Sequence, residues 1–243
     1  MMPAKPPIKK AMLLAAGRGE RLRPLTDHCP KPLLEVQGEP LLMHHLKRLE
    51  RAGFEQVVIN LGWLGNQIPT TLAKYLDNGR YRTLTVTYSQ EPPGALETAG
   101  GVRHALHHFE HQPFAVISSD VLIDTDYRHL KELAAGKRAH LLLVDNPPHH
   151  LKGDFVLNQG LVERQGTQNS SQRTLTYSGV GLFDPALFRD LPPGHRALRP
   201  VLEQAIDQQL VTGERFMGHW LDIGTLERYD DAQTLSWVHP QHT

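Results

Sequence analysis

The stretch that most restricts how this chain can fold runs from Ala11 to Pro24. Five apolar residues, Ala11 to Ala15, lead into Gly17-Arg18-Gly19-Glu20-Arg21-Leu22-Arg23-Pro24, and Pro30-Lys31-Pro32-Leu33 follows soon after. A short apolar run that ends in glycines reads as a strand buried on both faces, which belongs in a parallel sheet. Gly17 and Gly19 lack a Cβ, so the backbone there can take positive φ and turn successive N–H groups toward an anion. Arg21 adds a planar fork for two oxygens, and Lys31 adds a compact point charge framed by prolines. Together they describe a polyphosphate site in which Leu14, Ala15, Ala16, Gly17 and Gly19 present their backbone to the ligand. Two other phosphate loops are excluded by inspection. The P-loop needs Gly-Lys-Ser/Thr where Glu20-Arg21-Leu22 stands, and the dinucleotide fingerprint needs glycine or alanine in place of Leu22.

The rest of the chain supports an α/β fold. Pro40 opens a helix through Leu41, Leu42, Leu46 and Leu49 that Gly53 closes; Val57 to Ile59 is a second buried strand, and a helix covers about Asn66 to Leu76, with Pro69 in its first turn. Leu84, Val86 and Tyr88 alternate with threonines as a strand with one exposed face. The loop Glu91 to Gly101 enters a helix over Val102 to Phe109, Phe114 to Ile117 is a central strand, Tyr127 to Ala135 a helix, and Leu141 to Val144 a strand. Such a βαβ series predicts a mostly parallel sheet. From Pro147 the pattern changes: a hairpin around Asn158-Gln159-Gly160, a strand over Thr174 to Phe183, a helix over Leu198 to Gln208, a strand over Thr212 to Met217 and a closing helix over Leu226 to Trp237. The ends, residues 1–10 and His239 to Thr243, read as a disordered leader and a loose tail.

At 243 residues the chain can bury one sizeable core. Its net charge of zero carries no global attraction for nucleic acid or an acidic membrane, so phosphate binding must be local. The single Cys29 excludes an internal disulfide, and no apolar run approaches the roughly twenty residues that span a bilayer. The proline- and lysine-rich start has no apolar core of a secretory signal, so a cytoplasmic protein is expected, as a monomer or homodimer.

Two acids stand out. Asp120 follows the central strand, where ligands of open α/β sheets bind, and Asp222 lies between Trp220 and Gly224 just before a helix. Each alone can be a helix or turn cap. Beside a phosphate loop they suit Mg²⁺, which takes one or two carboxylates together with phosphate oxygens and water. The polar loop Gly94 to Gly101, with Gln90 before it, suits a base or ribose contact through Gln90, Glu97 and Gly100, or else is only a helix start capped by Glu97 or Thr98. Four histidines, His104, His107, His108 and His111, share a helical spacing that fits a zinc-binding face or a solvated one. Cys29 is a thiol near the phosphate loop for which no chemistry calls.

Ala15-Ala16-Gly17-x-Gly19-x-Arg21-Leu22-x-Pro24-Leu25-Thr26 followed by Pro30-Lys31-Pro32-Leu33 resembles the signature of the sugar-phosphate nucleotidyltransferases. The resemblance extends from Ala11 to Trp237. It implies a Rossmann-like, three-layer, GT-A-like fold with a mixed, mostly parallel central sheet over residues 11–238, divided into a nucleotide half, 11–145, and a sugar half, 146–238. It implies transfer of a nucleotidyl group from a nucleoside triphosphate to a sugar 1-phosphate, with Arg21 and Lys31 catalytic and Asp120 and Asp222 on Mg²⁺. Ser119 departs from the glycine that usually precedes the first acid. Gly153, Asp154 and Glu163 are the sugar-binding candidates, and ordinary hairpin polarity is the other account of them. Leu96-Glu97-Thr98-Ala99-Gly100-Gly101 leans toward the short members that use UTP and N-acetylmuramate 1-phosphate, in cell-wall recycling, with guanylyl transfer to mannose 1-phosphate as the runner-up. A non-catalytic module that senses nucleotide sugars is the competing class, although Arg21, Lys31 and both acids are all present.

Overall fold

The computed structural model describes residues 7–76, 83–130, 132–166 and 173–238; the leader up to residue 6 and the tail from His239 lie outside them. The apolar run forms β1 (Lys10–Leu14), whose side chains alternate between two apolar clusters, Ala11 and Leu13 in one and Met12 in the other. A strand buried in this way needs helices on both faces. The first cluster is roofed by α1 (Leu41–Arg51), with Leu42, Met43, Leu46 and Leu49, and by α2 (Gln67–Leu76), with Ile68 and Leu72. The second is covered by α3 (Glu97–Ala105), α4 (Ala186–Arg189) and α5 (Leu198–Asp207), through Val102, Phe188 and Leu202. Each such fully buried side chain contributes about 1.5–3 kcal/mol, which helices this short need in order to persist.

Small strands β2 (Glu35–Val36) and β3 (Glu39–Pro40) make a tight turn before α1, with Gln37 and Gly38 left-handed at φ 52° and 79°. The main sheet continues with β4 (Gln56–Leu61), β5 (Thr85–Gln90) and β6 (Phe114–Ser118), all parallel to β1 in the order β5-β4-β1-β6. Short β7 (Val121–Ile123) follows, then β8 (Ala139–Val144), β9 (Phe155–Asn158), β10 (Leu161–Arg164), β11 (Thr174–Phe183), β12 (Val211–Arg215), β13 (Trp220–Asp222) and α6 (Leu226–Ala232). β11 inserts antiparallel between β6 and β8, and the order ends β8-β12-β10-β9. The sheet is therefore mixed. Its strands mostly share one direction, with β10 and β11 reversed, but beyond β6 only the β8–β12 neighbours are parallel.

Three helix boundaries differ from expectation. α3 begins at Glu97, not Val102, because Gly100 and Gly101 serve packing: a Cβ on Gly100 would lie 2.3 Å from the Gly194 carbonyl, and one on Gly101 2.5 Å from Glu91 Oε1. Of the stretch 127–135, in which residue 131 lies outside the described residues, the described part carries a 3-10 turn, Tyr127–His129, and the buried Tyr127, Leu130 and Leu133 recur every three residues, the 3-10 period. α6 stops at Ala232 because the Gln37 amide takes the Ala232 and Leu235 carbonyls and the Thr234 hydroxyl bonds back to Asp231. The hairpin at Asn158-Gln159-Gly160 forms as expected, with Gln159 at φ 49° and Gly160 at φ 82°. Among the described residues no helix is long and apolar enough to cross a membrane.

Candidate active site

The carboxyl ends of β1 and β6 meet at a cavity of about 420 Å³ lined by Leu14, Ala15, Ala16, Gly17, Gly19, Arg21, Lys31, Glu97 and Asp120, among others. A second cavity of about 480 Å³ shares Leu14, Arg21, Thr98 and Ser118 with it and continues to His149, His150, Tyr177, Trp220 and Asp222. Arg21 and its neighbours thus form the wall common to a nucleotide-sized space and an adjoining one.

Local structure explains how the loop holds its shape. Gly19 adopts φ 68°, and a Cβ there would press against Thr26 and Lys31, so this glycine lets Lys31 pack beneath the loop. Around Gly17, by contrast, a Cβ would meet nothing within 4 Å, so its backbone faces open space. Pro30 and Pro32 bracket a 3-10 turn, Lys31–Leu33, that buries Lys31 and sends its Nζ to Asp120 Oδ2 at 2.6 Å. Arg21 is exposed and has no hydrogen-bond or ion-pair partner among the described residues. Arg18 points elsewhere: it donates to the Thr26 carbonyl and to Asp27, and stacks 4.0 Å over Trp63.

Asp120 lies in the turn between β6 and β7, and Asp222 ends β13. β13 pairs with β7 so that Asp222 lies opposite Val121, and Ile223 N–H donates to the Asp120 carbonyl at 2.7 Å. Arg228 Nη2 donates to Asp222 Oδ2 at 2.9 Å, whereas Oδ1 is buried without a hydrogen-bond partner, His149 Nε2 lying 3.0 Å away. Among the described residues no cluster of three or more His, Cys, Asp or Glu is arranged to hold a metal. Two carboxylates, one with an unpartnered buried oxygen, fit Mg²⁺, which completes its shell with phosphate oxygens and water, better than a metal caged wholly by protein. Ser119, the departure from glycine, is almost fully buried, and its hydroxyl donates to the Leu14 carbonyl, tying the end of β1 to the turn that carries Asp120.

Asn60 and Glu91, absent from the sequence reading, underlie the same cavity. Asn60 Oδ1 accepts the Ala15 N–H at 2.7 Å, and its Nδ2 donates to Glu91 Oε1 at 2.7 Å. Burial pushes the Glu91 carboxyl above its ordinary range, while the Asn60 and Leu96 donors pull the other way. A polar residue inside the apolar run Val57–Leu61 was the available signal for Asn60.

Several expected contacts are not on the cavity walls. Gln90 turns its amide to the Leu61 and Glu91 carbonyls, and Gly100 packs against the segment around Gly194, so neither reaches the first cavity. Glu97 does line it, with a left-handed backbone at φ 60°. Gly153, Asp154 and Glu163 also stand behind the second cavity and do not line it. Asp154 Oδ2 accepts the Tyr177 N–H, and its Oδ1 faces His150 and Arg199; Glu163 accepts from Asn158 across the hairpin; Gly153, at φ 63°, makes room for Asn146. Of the three, only Asp154 takes a backbone group, the Tyr177 N–H; Glu163 and Gly153 face the side chains of Asn158 and Asn146. His104 Nε2 donates to the Gln90 carbonyl and His107 stacks on His108, and the half-buried Cys29 thiol is pushed up by burial.

Comparison with known proteins agrees with this geometry. A family model described as nucleotidyl transferase matches residues 10–236. The N-acetylmuramate alpha-1-phosphate uridylyltransferase of Neisseria meningitidis serogroup B is 46% identical over 232 residues, covering 93% of this chain and 98% of that protein. The protein of the same name from Caulobacter vibrioides is 31% identical over 226 residues, covering 89% and 92%. A solved structure of a glucose-1-phosphate thymidylyltransferase from Bacillus anthracis superposes with a TM-score of 0.79 at 21% identity, covering 94% of this chain and 95% of the other, a likeness of fold.

Proposed function

The chain belongs to the nucleotidyl transferase family, as an enzyme that transfers a nucleotidyl group to a sugar 1-phosphate, and we propose that UTP and N-acetylmuramate 1-phosphate are its substrates. The observation that carries the choice of substrates is the 46% identity over 98% of the Neisseria uridylyltransferase. An oxygen of the sugar 1-phosphate attacks the α-phosphorus of UTP in line; the bond from that phosphorus to the bridging oxygen of the β-phosphate breaks, and pyrophosphate leaves with the electron pair. No protein nucleophile is required, so the side chains act by position and charge.

Arg21 holds the β- and γ-phosphates that leave. Its exposed guanidinium, without a partner among the described residues, lies on the wall common to both cavities and supports that role. Lys31 neutralises the α-phosphate or the incoming phosphate. Its buried ammonium, extended from a proline-fixed turn to Asp120, supports a charge whose reach is set before substrate arrives. Asp120 and Asp222 hold Mg²⁺, which when bound supplies further neutralisation of phosphate charge. Leu14, Ala15, Ala16, Gly17 and Gly19 offer backbone to the nucleotide, together with Glu97 at the start of α3, and the second cavity takes the sugar. With Mg²⁺, UTP and N-acetylmuramate 1-phosphate, the nucleotide sugar and pyrophosphate should appear in equal amounts by mass spectrometry. Product with GTP and mannose 1-phosphate alone would replace this reading by guanylyl transfer.

A further inference from the structure

Asp120 and Asp222 each face a protein cation, but the two cations are held differently. Lys31 meets Asp120 with a single ammonium at the end of a flexible stem, a contact it can exchange for a phosphate. Arg228 is tied to Asp222 twice, Nε donating to the backbone carbonyl at 2.9 Å and Nη2 to Oδ2 at 2.9 Å. Both side chains are largely buried, 13% and 21% exposed. Arg228 enters from the first turn of α6, whose start is set by the Thr225 hydroxyl accepting its N–H at 3.4 Å. Room for the guanidinium exists because position 224 is glycine: a Cβ there would lie 2.1 Å from Arg228 Nη2 and 2.7 Å from Asp222 Oδ2.

The other oxygen of the same carboxylate is the informative one. Asp222 Oδ1 is buried and receives no hydrogen bond, although His149 Nε2 stands 3.0 Å off. A buried, unpaired carboxylate oxygen costs free energy unless some partner takes it. We infer that Arg228 is a positioning residue: by occupying Oδ2 and the backbone carbonyl of Asp222, it fixes the carboxylate plane and commits Oδ1 as the single oxygen this acid offers to a divalent cation. Without the clamp the carboxylate can rotate about its side-chain torsions, and neither oxygen is committed to the cation. The inference rests on the reading of Asp222 as a metal-binding acid.

Mn²⁺ titration of the full chain, followed by water-proton relaxation with no nucleotide present, tests it. Arg228→Met should weaken Mn²⁺ binding by about 10- to 100-fold, the usual effect of losing a group that orients a metal-binding carboxylate. Arg228→Lys should recover only part of that, because an ammonium cannot make both bonds in the guanidinium plane. Gly224→Ala keeps the arginine but crowds it off Asp222, and should weaken binding in the same direction; it decides the matter if Arg228→Met does not fold. Mn²⁺ affinity within twofold of wild type in both Arg228→Met and Gly224→Ala, while Asp222→Asn loses it, overturns the inference and leaves Asp222 as a metal acid. A lowered melting temperature with unchanged Mn²⁺ affinity of the folded protein makes Arg228 merely structural and overturns it too. If Asp222→Asn itself binds Mn²⁺ normally, the reading of Asp222 falls and takes the inference with it.

Discussion

On the β5-β4-β1-β6 side of the sheet, parallel strands release loops in which Arg21 has no partner among the described residues and the buried Lys31 reaches a half-exposed Asp120. From β11 on the sheet turns mixed, with β11 and β10 reversed, and the charged groups close on each other: Asp154 on the Tyr177 N–H with His150 and Arg199 nearby, Arg164 on Glu203 and Asp207, Glu163 on Asn158. Parallel strands all end on one edge and present their loops together. In the second region Asp154 accepts a backbone N–H, and the other charged groups pair with neighbouring side chains. β13 carries Asp222 back to β7, and His149, His150 and Tyr177 join it at the edge of the second cavity.

The largest expected effect breaks the first region alone. Lys31→Ala should lower kcat by about 100- to 1,000-fold, the usual loss when one preorganised charge contact to a reacting group is removed. Arg18→Ala, a few residues away but bound to Thr26 and Asp27, should cost less than about tenfold in steady-state assays. Equal losses in the two variants would erase the distinction between cavity and bracket.

In the second region the damage should fall on stability. Asp154→Ala leaves the Tyr177 N–H without its acceptor and should cost about 1–3 kcal/mol in urea unfolding, with the KM for sugar phosphate nearly unchanged. A large rise in KM at unchanged stability would return Asp154 to the sugar site.

A pH series separates a third contribution. His45 is fully buried and bonded to the Tyr127 hydroxyl at 2.8 Å; burial holds its pKa down at about 3. Below an unfolded value near 6.5 the unfolded chain binds the proton that the folded chain refuses, so stability falls with falling pH from there to about 3. Between pH 7 and pH 5 the loss from this residue is about 2 kcal/mol, and His45→Gln should remove that slope from the urea midpoints. Glu91, pushed up by burial, acts with the opposite sign, its contribution fading as pH rises above 4.5. The smallest effect belongs to Glu163→Ala, which loses one cross-hairpin hydrogen bond and should cost about 0.5–1.5 kcal/mol with no change in turnover.

The same contrast explains what could be read in advance. The phosphate loop and Asp120 were legible because each follows its strand within a few residues, Lys31 because prolines frame it, and strand order then brings the ends of β1 and β6 together. Asn60, Glu91 and Arg228 were not, since their roles are partnerships across 31 residues for Asn60 with Glu91, 45 for Asn60 with Ala15, and across a clamp whose room depends on Gly224. Gly100 and Gly101 read as a flexible loop because glycine in sequence signals freedom, although here it marks close packing inside a helix. Asp154 and Glu163 carried the right chemistry for a sugar, and only the reversed strands show that backbone and neighbours claim them first.

The most direct test is a competition. UTP, GTP, dTTP and CTP are supplied together with the 1-phosphates of N-acetylmuramate, N-acetylglucosamine, glucose and mannose, with Mg²⁺, and the accumulating nucleotide sugar is identified by mass. UDP-N-acetylmuramate as the dominant product, lost in Lys31→Ala, is the predicted result. GDP-mannose as the dominant product, or UDP-N-acetylmuramate made undiminished by Lys31→Ala, would contradict the account.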